Sequence, residues 1–243
     1  MKPITFDADS VRAIHAGTKT QFRVPLDTAQ LTLRPGFDLA RDGKDANRWK
    51  IVDGEARLML DAFSVAVATI RLPFGGPGTR RWVQEKWRCA CVGGVRIEYA
   101  AGGKLERHDW PEEAIECYRS GTTPADVRRH ERIIAGEAVE EPWRSPTHMP
   151  RWASRLTLEI VSVRVERVQE IPFYEIRSEG LRCPEHDSPG GFCCSECDEL
   201  RAAFAARWNR LYAKRGYPWE SNPWVFAREF RTITPTAADA AGD

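Results

Sequence analysis

Arg155-Leu156-Thr157-Leu158-Glu159-Ile160-Val161-Ser162-Val163-Arg164-Val165 alternates apolar and polar residues at period two. This pattern predicts a long β-strand with one buried face. Further strand signals flank it. Trp49-Lys50-Ile51-Val52 and Arg57-Leu58-Met59-Leu60 surround Asp53-Gly54, a pair that tolerates the positive φ of a two-residue hairpin turn. A second hairpin is expected to turn at Ala101-Gly102-Gly103. Residues 3–6, 18–24, 81–85 and 224–230 also read as strands, the third of them entered through the turn cluster Leu72 to Gly78. Helices are fewer. One runs from a cap at Asp9 or Ser10 through Val11 and Ile14 to Gly17. A short one covers Tyr174 to Gly180. A longer one runs from about Asp198 to Lys214, with Leu200, Phe204, Trp208 and Leu211 on one stripe. Residues 111–142 look helical and charged, as a surface insertion would, and the tail 234–243 is expected to be disordered. Many short strands with few helices predict an α+β chain built on a small β-barrel carrying insertions.

The chain has 243 residues, enough for one large domain or two small ones. Its 36 Lys+Arg balance 35 Asp+Glu at a net charge of +1, which argues against a strongly basic nucleic-acid binder but leaves room for a local basic cleft. No stretch is long and apolar enough to span a membrane. Asp7 and Asp9 stand where a secretory leader would need an apolar run, so a cytoplasmic protein with no membrane partner is expected. The cysteines number 7, an odd count that argues against a disulfide framework.

Four of the cysteines crowd near the C-terminus. Cys183-Pro184-Glu185-His186 and Cys194-Ser195-Glu196-Cys197 give two pairs, each with two residues between the partners. That spacing lets Cys183, His186, Cys194 and Cys197 reach one tetrahedral zinc, and Cys193 could replace Cys194. Four N/S ligands leave no open position, so the expected zinc is structural. The alternative is a set of free thiols beside a chance histidine. Cys89-Ala90-Cys91 lacks the spacing of a metal knuckle and reads as strand. Phosphate-loop, nucleophile-elbow and H-E-x-x-H motifs are missing from the sequence.

In combination, several segments resemble the ASCH family of PUA-like β-barrels, in particular its large bacteriophage and prophage forms. Val11 through Gly17-Thr18-Lys19-Thr20 to Arg23 is similar to the family's opening helix and G-x-K-T segment. Pro73-Phe74-Gly75-Gly76-Pro77-Gly78, with the strand through Trp87, resembles its Pro-Gly turn. Ser145 to Arg155 resembles a signature of the phage forms. Glu170-Ile171 through Ser178-Glu179-Gly180 resembles the short helix ending in Glu-Gly, and Ser221-Asn222-Pro223-Trp224-Val225 the entry to the last strand. The resemblance implies a single domain over 1–233, with insertions at about 25–60, 95–142 and 182–198 and a cleft between the opening helix, the G-x-K segment and the Glu-Gly helix. It also implies RNA, DNA or a modified nucleoside as partner.

One branch of that family is an amidohydrolase acting on N-acylated cytidine through a Lys, a Thr and a Glu. By motif these fall on Lys19, Phe22 and Glu179. A phenyl ring is neither nucleophile nor proton carrier, so inherited chemistry is lost unless Thr20 substitutes. Lys19 and Glu179 are therefore either an acid–base pair or a salt bridge. Arg23, Arg151 and Arg155 are candidates for phosphate, since a guanidinium fork suits that group. His148 and Trp152 could stack on a base, or Trp152 could be core. Residues 76–107, with Arg80, Arg81, Lys86, Arg88, Arg96, Lys104 and Arg107 against three glutamates, could extend a basic rim or be plain wet surface. Glu85 is a second candidate cleft acid, or an outward strand carboxylate. The leading expectation is a cleft that binds nucleic acid, nucleotide or modified base. Alternatives are the amidohydrolase or a nuclease, and a phage assembly protein.

Overall fold

The computed structural model describes residues 1–30, 32–33, 49–52, 55–60, 65–90, 95–107, 132, 135, 142–182 and 198–233. In chain order they form β1 (Pro3–Thr5), α1 (Ala8–His15), β2 (Gln21–Pro25), β3 (Thr32–Leu33), β4 (Trp49–Val52), β5 (Glu55–Leu60), β6 (Val65–Arg71), β7 (Arg80–Gln84), β8 (Trp87–Ala90), β9 (Val95–Tyr99), β10 (Lys104–Arg107), β11 (Thr157–Arg167), α2 (Phe173–Ser178), α3 (Asp198–Tyr212) and β12 (Trp224–Ile233). This is a mixed α+β chain. No closed barrel is found among the described residues, in place of the barrel expected from the strand count. The expected helical insertion 111–142 lies outside the described residues except at 132, 135 and 142, and the tail 234–243 lies wholly outside them.

The chain divides into two compact units. The first comprises Met1–Arg12, Arg81–Thr157 and Ile233–Asp243, and the second Ala13–Arg80 and Leu158–Thr232.

In the second unit β2 pairs antiparallel with β12, which sets Phe22 opposite Arg228 and Arg23 opposite Ala227, and the strand order runs β2-β12-β11. Trp224, Val225, Phe226, Ala227 and Arg228 are buried in succession, the mark of a strand covered on both faces. β11 does not bury a single face, as its alternation suggested. Leu158 and Ile160 are buried at even positions, then Val163 and Val165 at odd ones, and Val161 between them is 46% exposed. The apolar set itself changes parity at Ile160-Val161, so burial follows composition across the shift. On α3, Leu200, Phe204 and Trp208 recur every fourth residue and pack with Val168, Ile171, Ile176 and Val225. Leu211, expected on the same stripe, is 43% exposed, one residue before α3 ends. The expected hairpin strands pair, with Trp49 opposite Leu58, within a sheet of order β3-β6-β5-β4. Within the expected insertion 25–60, β3, β4 and β5 contribute to this sheet, together with the unanticipated β6.

In the first unit β1 pairs in parallel with β7, and β10-β9-β8 forms an antiparallel sheet. The turn between β9 and β10 falls where the sequence placed it, with Gly102 and Gly103 both at positive φ. Trp87, Ile97, Tyr99, Met149 and Ala153 form the local core.

The packing of α3 yields a direct test. Phe204→Ala should lower unfolding free energy by about 3–5 kcal/mol in urea denaturation, while Leu211→Ala should change it by less than about 0.5 kcal/mol.

Candidate functional site

α1 ends at His15; the Gly17 N–H then donates to the Ile14 carbonyl, and the chain turns back so that the Thr18 and Lys19 N–H groups both donate to the Ala13 carbonyl. This presents the G-x-K-T segment as an edge. Lys19 and Glu179 meet there in an antiparallel bridge, and the Thr20 N–H donates to the Ser178 carbonyl at 2.8 Å. Gly180 permits the approach. It has φ +84°, and a Cβ on it would lie 2.7 Å from the Ala13 Cβ and 3.0 Å from the Lys19 Cβ.

The side chains continue the backbone contact. Lys19 Nζ donates to Glu179 Oε2 at 2.8 Å and to the Glu179 carbonyl at 2.9 Å, with both side chains buried. The other carboxylate oxygen, Oε1, accepts from Arg23 Nη1 at 3.0 Å. Arg23, fully buried on β2, also donates from Nε to Glu166 on β11 at 2.9 Å and from Nη2 to Glu175 on α2. Arg164 reaches Glu175 from the solvent side, 2.6 Å away, with its side chain 45% exposed. Arg207 donates to the Glu179 carbonyl at 3.4 Å. Burial pulls the Arg23 guanidinium down, but Glu179, Glu166 and Glu175 outweigh it and hold its pKa above the ordinary arginine value. The Tyr212 hydroxyl donates to the Arg23 carbonyl at 3.1 Å, and burial, with the Glu179 charge second, pushes it up to about 12.

Neighbouring positions are apolar or outward. Thr20 is exposed. Phe22 is buried in a ring cluster with Phe74 at 6.1 Å and Phe230 at 5.9 Å, with the Arg228 guanidinium 5.7 Å from its centroid. No hydroxyl stands at the motif position the amidohydrolase branch fills with Thr.

The remaining expected site residues belong to the first unit. Glu85 is buried and takes both Arg155 Nε and Nη2, at 2.8 and 2.9 Å. The Arg155 guanidinium lies 4.1 Å from the Tyr99 ring centroid, and a Cβ at Gly103 would come within 2.7 Å of its Nη1. Tyr99 donates to the Ala153 carbonyl at 2.7 Å, and burial above all pushes its phenol up. Arg151 lies over Trp82 at 5.9 Å. Trp152 is half-buried against the Trp87–Tyr99 core, and its ring covers apolar side chains. His148 is exposed at the end of the turn Pro146–His148.

Sequence reasoning reached Lys19, Glu179 and Arg23 but missed Glu175, Glu166 and Arg164 as their partners. One local signal was present: Glu175 and Glu179 are four apart, the spacing that shares a helix face. The proposed zinc ligands Cys183, His186, Cys194 and Cys197, with Cys193, lie outside the described residues. Among the described residues no group of three or more His, Cys, Asp and Glu is placed to hold a metal ion, and no helix is long and apolar enough to cross a membrane.

Removing one member of this network strands the others. Glu179→Gln should cost about 3–5 kcal/mol by chemical denaturation, because Lys19 and Arg23 lose a shared counter-charge while remaining buried. Lys19→Met with Glu179→Leu should cost less than Glu179→Gln alone; an equal or larger loss would show that the charges are not what couples the two segments.

The chain matches no family's sequence profile, no curated protein and no solved structure.

Proposed function

We propose that this protein is an ASCH-like binding module that takes nucleic acid or a nucleotide through phosphate, rather than an enzyme that hydrolyses one. One observation carries the reading: the G-x-K segment and the Glu-Gly helix end meet by backbone bridge and by ion pair, at a cluster with more cations than carboxylates. Lys19, Arg23, Arg164 and Arg207 face Glu166, Glu175 and Glu179. Taking ions out of water costs several kcal/mol each, which pairing at best offsets, so such a cluster in a small unit is a candidate functional site. Its solvent edge is Arg164, a guanidinium suited to phosphate.

Two features favour binding over catalysis. The Lys19 ammonium and both Glu179 carboxylate oxygens are engaged with fixed partners. Phe22 supplies neither nucleophile nor proton. Incubation with an N-acylated cytidine should therefore give no deacylated product.

The binding test uses the intact protein and a fluorescein-labelled oligonucleotide. Affinity should fall steeply with added salt, because bound phosphates release counter-ions. Arg164→Ala should weaken binding evenly across sequences and lower the magnitude of the salt slope by about 1. Absence of binding at low salt would sink the proposal.

The zinc proposal belongs to the same reading and rests on ligand spacing alone. One equivalent of zinc should accompany the purified protein and be lost in Cys183→Ser with Cys197→Ser.

A further inference from the structure

The base-stacking residue expected at Trp152 is half-buried, whereas stacking on a base calls for an aromatic ring open to solvent beside cations. Trp143 meets that description. It is 39% exposed, with the Arg88 guanidinium 4.8 Å and Lys86 Nζ 5.9 Å from its ring centroid.

Strand geometry produces this arrangement. Trp87 and Arg144 form an isolated antiparallel bridge, the Arg144 N–H donating to the Trp87 carbonyl at 2.7 Å, so residues 143–144 run along the edge of β8. Alternation then separates two faces. Trp87 turns inward and is buried, with the Arg144 guanidinium 5.4 Å from its ring. Lys86, Arg88 and Trp143 stand together on the outer side. The same face continues across the sheet through Glu98, opposite Arg88, to exposed Lys104, opposite Glu98. Arg88 holds Glu98 at 2.7 Å. Among the described side chains of this face, three cations stand against one carboxylate.

We infer that the outer face of the β8–β9–β10 sheet binds single-stranded nucleic acid, with Trp143 stacking on a base and Lys86, Arg88 and Lys104 meeting the flanking phosphates. The inference rests on the nucleic-acid reading above and adds to it a named ring and strand class. A flat aromatic ring beside cations is what an unpaired strand presents its bases and backbone to, and stacking accepts any base. A duplex keeps its base faces covered, so it has nothing to offer Trp143. The occupant is therefore an open strand, chosen by charge complementarity and ring exposure together.

The test measures fluorescence polarisation of labelled oligothymidine and oligouridine with the intact protein. Trp143→Ala should weaken binding of at least one strand about five-fold or more, Trp143→Phe should retain most of the affinity, and neither should alter the salt slope. Lys86→Ala should reduce the salt slope by about 1. Both positions are exposed, and thermal melting of each variant establishes that it folds. If the wild-type protein binds and Trp143→Ala binds both strands equally well, the stacking assignment is overturned while the binding function stands. Full displacement of the strand by an equimolar duplex would overturn it as well. If the wild-type protein binds neither strand at low salt, the binding function itself fails and takes this assignment with it.

Discussion

Arg23 stands among three carboxylates, and the second unit is arranged around that crowding. Glu166 comes from β11, while Glu175 and Glu179 come from α2 and the residue that follows it. Three like charges gathered in a low-dielectric interior repel strongly. One guanidinium, with five donors in a planar fork, holds all three at once. Lys19 then takes the remaining stabilising role at Glu179, and Arg164 does so at Glu175 from the solvent side. Apolar replacement of buried ion clusters is often neutral or stabilising, so net stability does not account for this one. What it supplies is position. β2, β11 and α2 have to sit where their charges cancel, and any slip of register on β2 would turn Arg23 to the other face.

The backbone plan was readable where periodicity was strong. The hairpin strands around Asp53-Gly54 and the strand ending at Ile233 pair where their alternation or turn chemistry predicted. Legibility failed where composition was ambiguous. Val65-Ala66-Val67-Ala68-Thr69-Ile70-Arg71 has too little contrast between its alternate positions to stand out as β6. The parity change in β11 was visible in the residues themselves, because Ile160 and Val161 are consecutive and apolar. Leu211 falls on the same stripe by spacing, yet in the last turn of α3 it is 43% exposed, and nothing in the residue letters marks that.

The charged cluster was legible only in part, for a different reason. Lys19 and Glu179 are 160 residues apart, and no local pattern joins them; a likeness to a family drew attention to both. The i, i+4 pair Glu175 and Glu179 was a local signal, but it acquires meaning only when a cation on another strand faces it. Glu166 and Arg164 were legible as strand charges, and their parity was not, because β11 changes phase just before them. The first unit repeats this lesson with aromatics. Trp152 and Trp143 are indistinguishable as letters, yet one closes the Trp87–Tyr99 core and the other stands beside two cations on the outer face. Sequence shows that a tryptophan is present; strand parity decides whether its ring meets side chains or solvent.

Acid–base catalysis needs a group free to change protonation in step with a reacting substrate, and it needs room for that substrate to approach. Lys19 Nζ has two of its three donors committed to Glu179, one to a backbone carbonyl that cannot move without breaking the Lys19–Glu179 bridge. Glu179 has the Lys19 ammonium on one carboxylate oxygen and the Arg23 guanidinium on the other. Position 22, where a hydroxyl would have to stand, is filled by a ring locked among Phe74, Phe230 and the Arg228 guanidinium. So held, Lys19 and Glu179 tie the two segments together by backbone and by side chain. Arg164, open to water, is tied to the same network through both carboxylate oxygens of Glu175, and on the phosphate-binding proposal a guanidinium already held in this way would have less conformational freedom to give up on binding.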